Sequence, residues 1–151
     1  MRVKDLMSRQ VLTIGASESC LDAVARMHDA RVRHLPVVND QGLLVGVVTD
    51  RDLRHYLFSP PVFKDLGLTG VDVLLKAVPV AEIMSTPVIT AAPEDELMDA
   101  AQFMLEEKVG SLPVVERDRV VGIITETDML RQICRVDAGS PECAEIIVSY
   151  P

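Results

Sequence analysis

Val45-Gly46-Val47-Val48-Thr49-Asp50-Arg51-Asp52 returns 76 residues later as Val121-Gly122-Ile123-Ile124-Thr125-Glu126-Thr127-Asp128. Upstream of each copy stands the same tetrad, Leu35-Pro36-Val37-Val38 and Leu112-Pro113-Val114-Val115, now offset by 77 because one residue is missing from the second turn. Further upstream Val3-Lys4-Asp5-Leu6-Met7-Ser8 recurs as Val80-Ala81-Glu82-Ile83-Met84-Ser85, and Val11-Leu12-Thr13 as Val88-Ile89-Thr90. Segments kept in order at a nearly constant offset mark an internal duplication, and a duplication governs the fold before any residue-level reading.

Each repeat reads as strand, helix, two strands, helix. Val11 to Ile14 is a short β-rich run ending at Gly15-Ala16-Ser17, after which Ser17 or Ser19 can cap a helix. Cys20, Ala23, Val24 and Met27 then lie one helical turn apart, as do Leu97, Ala100, Ala101 and Met104. Leu35–Val38 and Leu43–Thr49 flank the turn signal Asn39-Asp40-Gln41-Gly42 and predict a hairpin. A closing helix is expected from Thr49 to about Leu57, and its counterpart from Thr125 to Ile133. The fold class is therefore α/β, with two β-α-β-β-α repeats at 1–57 and 80–135. A linker with a short helix (Val71–Val78) fills 58–79, and a tail without a repeat counterpart occupies 136–151. A unit of about 55 residues buries only about 60% of its unfolded surface, so the two are expected to pack together about a pseudo-two-fold axis.

Composition narrows the function. The 151 residues are 48% hydrophobic and 25% charged, and 23 Asp and Glu against 15 Lys and Arg leave a formal charge of −8. That balance repels polyphosphate, and 3% aromatics without Trp supply no stacking platform, so nucleic acid is not an expected partner. No apolar run approaches the ~18 residues of a membrane span, and the N-terminus does not read as a signal peptide. Three cysteines without CxxC spacing predict neither a disulfide framework nor a structural zinc site, which fits a cytoplasmic protein. Phosphate-loop, dinucleotide, zinc-protease and nucleophile-elbow motifs are all missing, so no enzyme and no required cofactor is expected. Met7, Met27, Met84 and Met104 recur by repeat and read as core.

The Met-Ser opening, the Leu-Pro-Val-Val strand and Gly-x-x-Thr-x-x-Asp running into a helix, each present twice, resemble the cystathionine-β-synthase (CBS) domain family in a stand-alone tandem pair. The resemblance covers roughly 3–57 and 80–133. It implies two clefts between paired repeats that bind an adenosine-containing ligand, such as AMP, ADP, ATP, NAD or S-adenosylmethionine, and a regulatory role without turnover. The alternative is a constitutive protein–protein interaction scaffold with no small-molecule ligand.

Thr49-x-x-Asp52 and Thr125-x-x-Asp128 carry the most chemistry. A carboxylate can take both hydroxyls of a ribose diol in a fork, and the Thr hydroxyl and helix-start amides can donate to phosphate. The same spacing is also a capping box, which serves only the helix backbone; both uses are open. Arg33 and His34, at the edge of the Leu-Pro strand, are candidate phosphate donors. Repeat two has Gly110-Ser111 there, and Thr127 in place of Arg51, which predicts two unequal clefts. Family position points to Thr13-Ile14 and Thr90-Ala91 for adenine, with Pro36, Val45, Pro113 and Val121 along its faces and Ser111 at the pocket edge. Finally, Leu21, Val24 and Ala25 on one helix and Met98, Ala101 and Leu105 on the other form a second apolar row. That surplus predicts a homodimer, beside an unidentified regulated protein as partner.

Overall fold

The computed structural model describes residues 1–59 and 70–137. The chain runs α1 (Val3–Leu6), β1 (Ile14–Gly15), α2 (Cys20–Ala30), β2 (His34–Val38), β3 (Leu44–Thr49), α3 (Asp50–Leu57), α4 (Val71–Ala77), a 3-10 turn at Val80–Glu82, α5 (Leu97–Glu107), β4 (Ser111–Glu116), β5 (Arg119–Thr125) and α6 (Glu126–Asp137). The predicted hairpins are β2–β3 and β4–β5, antiparallel, with His34 opposite Thr49 and Ser111 opposite Thr125. Residues 60–69 of the expected linker and 138–151 of the tail, Cys143 included, lie outside the described residues.

Local chemistry sets the element ends. Ser19 caps α2 by accepting from Asp22 N–H at 3.1 Å, and Thr49 caps α3 by accepting from Asp52 N–H at 3.1 Å. The Asn39 side chain accepts from both Gln41 and Leu43 N–H (3.0 Å each), and Gly42 takes a φ of 75° that favours glycine. The second hairpin turns more tightly on Arg117 and Asp118, both with positive φ, which accounts for the missing residue.

The first strand differs from its prediction. Pairing begins only at Ile14, parallel to Val37, and the second repeat keeps a single bridge, Ala91 with Val114. Val11 and Leu12 stay outside the sheet and face a cleft instead.

The openings of the two repeats change places. Val3 and Met7 are buried with Ala91, Ala100, Met104, Leu112, Val114 and Ile124 of the second repeat. Val78 and Val80 are buried with Ile14, Cys20, Ala23, Met27, Leu35, Val37, Val48 and Leu53 of the first, where Ile83 and Met84 also pack. Backbone hydrogen bonds repeat the exchange by symmetry: Val3 N–H donates to Asp95 O (3.0 Å) as Val80 N–H does to Glu18 O (2.8 Å). Leu97 N–H donates to Met1 O as Cys20 N–H does to Val78 O, 2.9 Å each, so each opening satisfies a helix-start amide in the other lobe. Ser8 bridges Ile123, and Ser85 bridges Val47. A Cβ on Gly46 would overlap the Met84 side chain, and one on Gly122 the Met7 side chain, so each strand's glycine makes room for the other repeat's opening. Sequence repeats and structural lobes are thus different divisions of the chain.

On α2, Cys20, Ala23 and Met27 face the core, Leu21 packs at its margin, and Val24 and Ala25 are exposed. On α5, Ala100 and Met104 are buried while Met98 and Leu105 are 77% and 79% exposed. The second apolar row is therefore left uncovered at Val24, Met98 and Leu105. Burial pushes the Cys20 thiol up to about 11, with Glu82 adding to the shift, so the thiol behaves as a small apolar group. No helix among the described residues is long and apolar enough to cross a membrane.

Candidate functional site

Where β3 ends and α3 begins, Thr49 and Asp52 face a cavity of about 680 Å³ that the opposite repeat closes with Ser85, Pro87, Val88 and Ile89. The equivalent join of β5 and α6 places Thr125 and Asp128 in a second cavity of about 340 Å³, closed by Ser8, Gln10, Val11 and Leu12. The exchanged openings therefore build the far wall of each cleft, and neither repeat forms a cleft alone.

Both Thr-x-x-Asp motifs are complete caps. Thr49 N–H (2.9 Å) and its hydroxyl (2.7 Å) both donate to Asp52 Oδ2, while Asp52 N–H donates back to Thr49 Oγ1. Thr125 and Asp128 repeat this at 3.0, 2.7 and 3.3 Å. Two sequence expectations change. The Thr hydroxyl's one proton is committed to the carboxylate, so it is not a phosphate donor in this arrangement. Oδ2 already accepts two bonds, so a diol would meet Oδ1 rather than a fork of two open oxygens. Asp52 Oδ1 accepts no hydrogen bond among the described residues, whereas Asp128 Oδ1 lies 3.8 Å from Arg131 Nη1.

Helix-start amides add donors. Asp50 N–H is used by Arg33 O and Glu126 N–H by Gly110 O, both at 3.1 Å. The next amides, of Arg51 and Thr127, have no hydrogen-bond partner among the described residues and point along helix starts that favour anions.

Of the predicted residues, Arg33, His34, Thr49, Arg51, Asp52 and Ser111 line the larger cleft, and Arg33, His34, Thr125, Thr127 and Asp128 the smaller. Thr13, Ile14, Pro36, Thr90, Ala91 and Pro113 line neither. Ile14 and Ala91 are buried because they pair with the central strands, and Pro36 and Pro113 are buried in the middle of β2 and β4. Val45 and Val121 pack against the two cores. The apolar cleft walls come instead from two residues upstream, Val11-Leu12 and Val88-Ile89, whose recurrence in the sequence was the available signal.

Sequence reading also missed Arg31 and Lys108. Each is the left-handed residue that ends its helix, at φ 54° and 56°, and each lines a cleft: Lys108 the larger, Arg31 the smaller. Their shared charge at matching repeat positions could have found them. Arg54, also on the larger cleft, is engaged by Asp50 at 2.9 Å. Arg33 Nη2 sits 3.5 Å from Thr127 Oγ1 and 3.9 Å from Glu126 Oε1, long contacts that leave its guanidinium loosely held.

His34 is half-buried, and its pKa lies below the ordinary histidine value. Burial is the main cause and the Arg33 charge the second, opposed by Asp50, Glu126 and Asp52. The ring is therefore a neutral donor or acceptor near pH 7. Its Nε2 would lie 3.1 Å from a Cβ at Gly110, so the glycine gives the imidazole its space.

The family model for the CBS domain matches residues 3–59 and 80–135. CBS domain-containing protein YhcV of Bacillus subtilis is 34% identical over 139 residues, 91% of this chain and 90% of that one. Protein MJ1404 of Methanocaldococcus jannaschii is 34% identical over 140 residues, 92% of this chain, which spans only 33% of that longer protein. Among solved structures, the CBS domain pair of protein MJ0100, in complex with 5′-methylthioadenosine and S-adenosyl-L-methionine, superposes with a TM-score of 0.72 at 28% identity, covering 90% of this chain and 98% of that one. CBSX2 in complex with AMP gives a TM-score of 0.69 at 27% identity, with the same coverages.

Proposed function

From the premise that this chain belongs to the CBS domain family and carries two of its repeats, we propose that it is a regulatory module that senses an adenine nucleotide or adenosyl compound without converting it. The observation that carries this reading is the larger cleft. There Asp52, whose Oδ1 accepts no hydrogen bond among the described residues, and Arg51, whose N–H has no partner among them, line the cavity together with Arg33 and Lys108, on a chain whose net charge is −8. A ribose hydroxyl would donate to Oδ1, phosphate or another anionic group would meet the cations and helix-start amide, and Val88 and Ile89 would flank the base. The ligands held by the MJ0100 pair and by CBSX2 share the adenosyl group, which supports that ligand class.

Each cleft spans both lobes, so a ligand that prefers one lobe-to-lobe angle shifts the protein toward it by its differential affinity. A regulated partner protein would read that change. The uncovered apolar row of Val24, Met98 and Leu105 supports self-association into a homodimer, measurable as the mass in solution.

Calorimetric titration with AMP, ADP, ATP, NAD and S-adenosylmethionine tests the reading, beside Asp52→Asn and Asp128→Asn. Saturable binding that Asp52→Asn weakens in the larger cleft and Asp128→Asn in the smaller, with the fold retained, is the expected result. The complete capping boxes favour a second reading, a constitutive interaction scaffold in which both motifs serve only the backbone. It predicts silence across the panel from folded, nucleotide-free protein.

A further inference from the structure

Among the described residues only Arg33 and His34 line both cavities. They sit where the two repeats meet, with His34 against Gly110 and Arg33 reaching the start of α6. The guanidinium stands between Glu126, which lines the larger cleft, and Thr127, which lines the smaller. Its contacts to both are long, so neither anchors it. At the matching positions of the second repeat stand Gly110 and Ser111, which carry no charge.

We propose that the two clefts share one anion-binding group, Arg33 assisted by His34, so that a phosphate-bearing ligand in one cleft lowers the affinity of the other for a second such ligand. This deepens the nucleotide reading above and rests on it. A guanidinium turned toward a phosphate in one cleft presents its fork there and withdraws it from the other. The effect acts through the anionic group alone and depends on neither the base nor the ribose. Coupling of this kind is reciprocal: whichever cleft fills first, the other weakens by the same factor.

The test uses the full chain, stripped of nucleotide and titrated with AMP and separately with adenosine. Asp52→Asn weakens the larger cleft and Asp128→Asn the smaller, and a joint two-site fit of the three proteins gives each cleft's own affinity. In the unaltered protein the second AMP is expected to bind at least five-fold more weakly than the weaker cleft binds it alone. Adenosine, which has no phosphate, is expected to fill both clefts without that penalty. Arg33→Ala is expected to remove the penalty for AMP. Affinities for AMP equal to those of the isolated clefts would overturn the proposal. So would an equal penalty for adenosine, or one that survives Arg33→Ala. Each of those three results leaves the nucleotide reading standing. Silence toward both ligands from protein with unchanged circular dichroism overturns the nucleotide reading and, with it, the sharing.

Discussion

The two clefts share one backbone plan and differ in what fills it. Each has a capped helix start, a Thr-x-x-Asp motif, an apolar wall from the opposite repeat's opening and a basic residue at a helix end. The larger encloses about 680 Å³, has Arg51 beside Asp52 and leaves Asp52 Oδ1 open. The smaller encloses about 340 Å³, has Thr127 in place of Arg51 and sets Arg131 against Asp128 Oδ1. Where the repeats meet, a Cβ at Gly110 would lie 3.1 Å from His34 Nε2, so a side chain there would crowd the imidazole.

Exchanging each carboxylate breaks the comparison most sharply. Asp52→Asn is expected to weaken ligand binding in the larger cleft by ten-fold or more, since a hydrogen bond to a charged group is worth about 1.5–3 kcal/mol. Asp128→Asn should cost less, because Arg131 already neutralises part of that carboxylate; calorimetry on the two variants gives the ratio.

The glycines test whether the openings build the walls. Gly46→Val displaces Met84 and the segment leading to Val88, and Gly122→Val displaces Met7 and the segment leading to Val11. Each is expected to destabilise by about 1–3 kcal/mol in denaturant titration, with binding impaired in the larger cleft by the first and in the smaller by the second. A pair of variants that damaged both clefts equally would dissolve the distinction.

Arg51→Ala sharpens the charge difference. Removing this exposed cation should lower affinity for AMP in the larger cleft by about 1 kcal/mol, in line with screened charge pairs, and flatten its salt dependence. The smaller cleft should be unaffected.

The smallest effect is on pH dependence. His34 has a folded pKa below its unfolded value, so on acidification the unfolded chain takes up the proton first. Its contribution to stability is present above about pH 6.5 and is lost as pH falls through the folded value. Thermal melts from pH 7.5 to 5 should show this loss, and His34→Gln should reduce the slope. An equal slope in both proteins would remove His34 as its source. Ligand phosphate beside the ring would favour its protonated form, so affinity for AMP should rise over the same acid interval.

Much of the fold was legible because it is encoded locally. Ser19, Thr49 and Thr125 sit where caps are needed, the Leu-Pro-Val-Val runs fall on strands, and Val71–Ala77 forms the expected linker helix. Thr-x-x-Asp was legible as a motif, but spacing did not reveal that Oδ2 accepts two bonds in both copies while Oδ1 is open at Asp52 and set against Arg131 at Asp128. That is a matter of side-chain rotamers within the cap. Thr13-Ile14 and Thr90-Ala91 fall outside the two clefts, which Val11-Leu12 and Val88-Ile89 line, because strand pairing starts at Ile14, later than the β-rich run suggests. Arg31 and Lys108 went unread because a basic residue at a helix end is ordinarily solvated.

By itself the sequence determined the duplication, the order of elements, the acidic balance and the inequality of Arg33-His34 against Gly110-Ser111. Only the tertiary structure decided which lobe each Met-Ser opening joins, and hence that each cleft is walled by both repeats. The physical reason lies in the repeat. Val3 and Met7 have the same kinds of side chain as Val80 and Met84, and the two cores are near copies, so either core can accept either opening. Local preference is therefore nearly balanced between them, and only the tertiary structure shows Met84 seated against Gly46 and Met7 against Gly122.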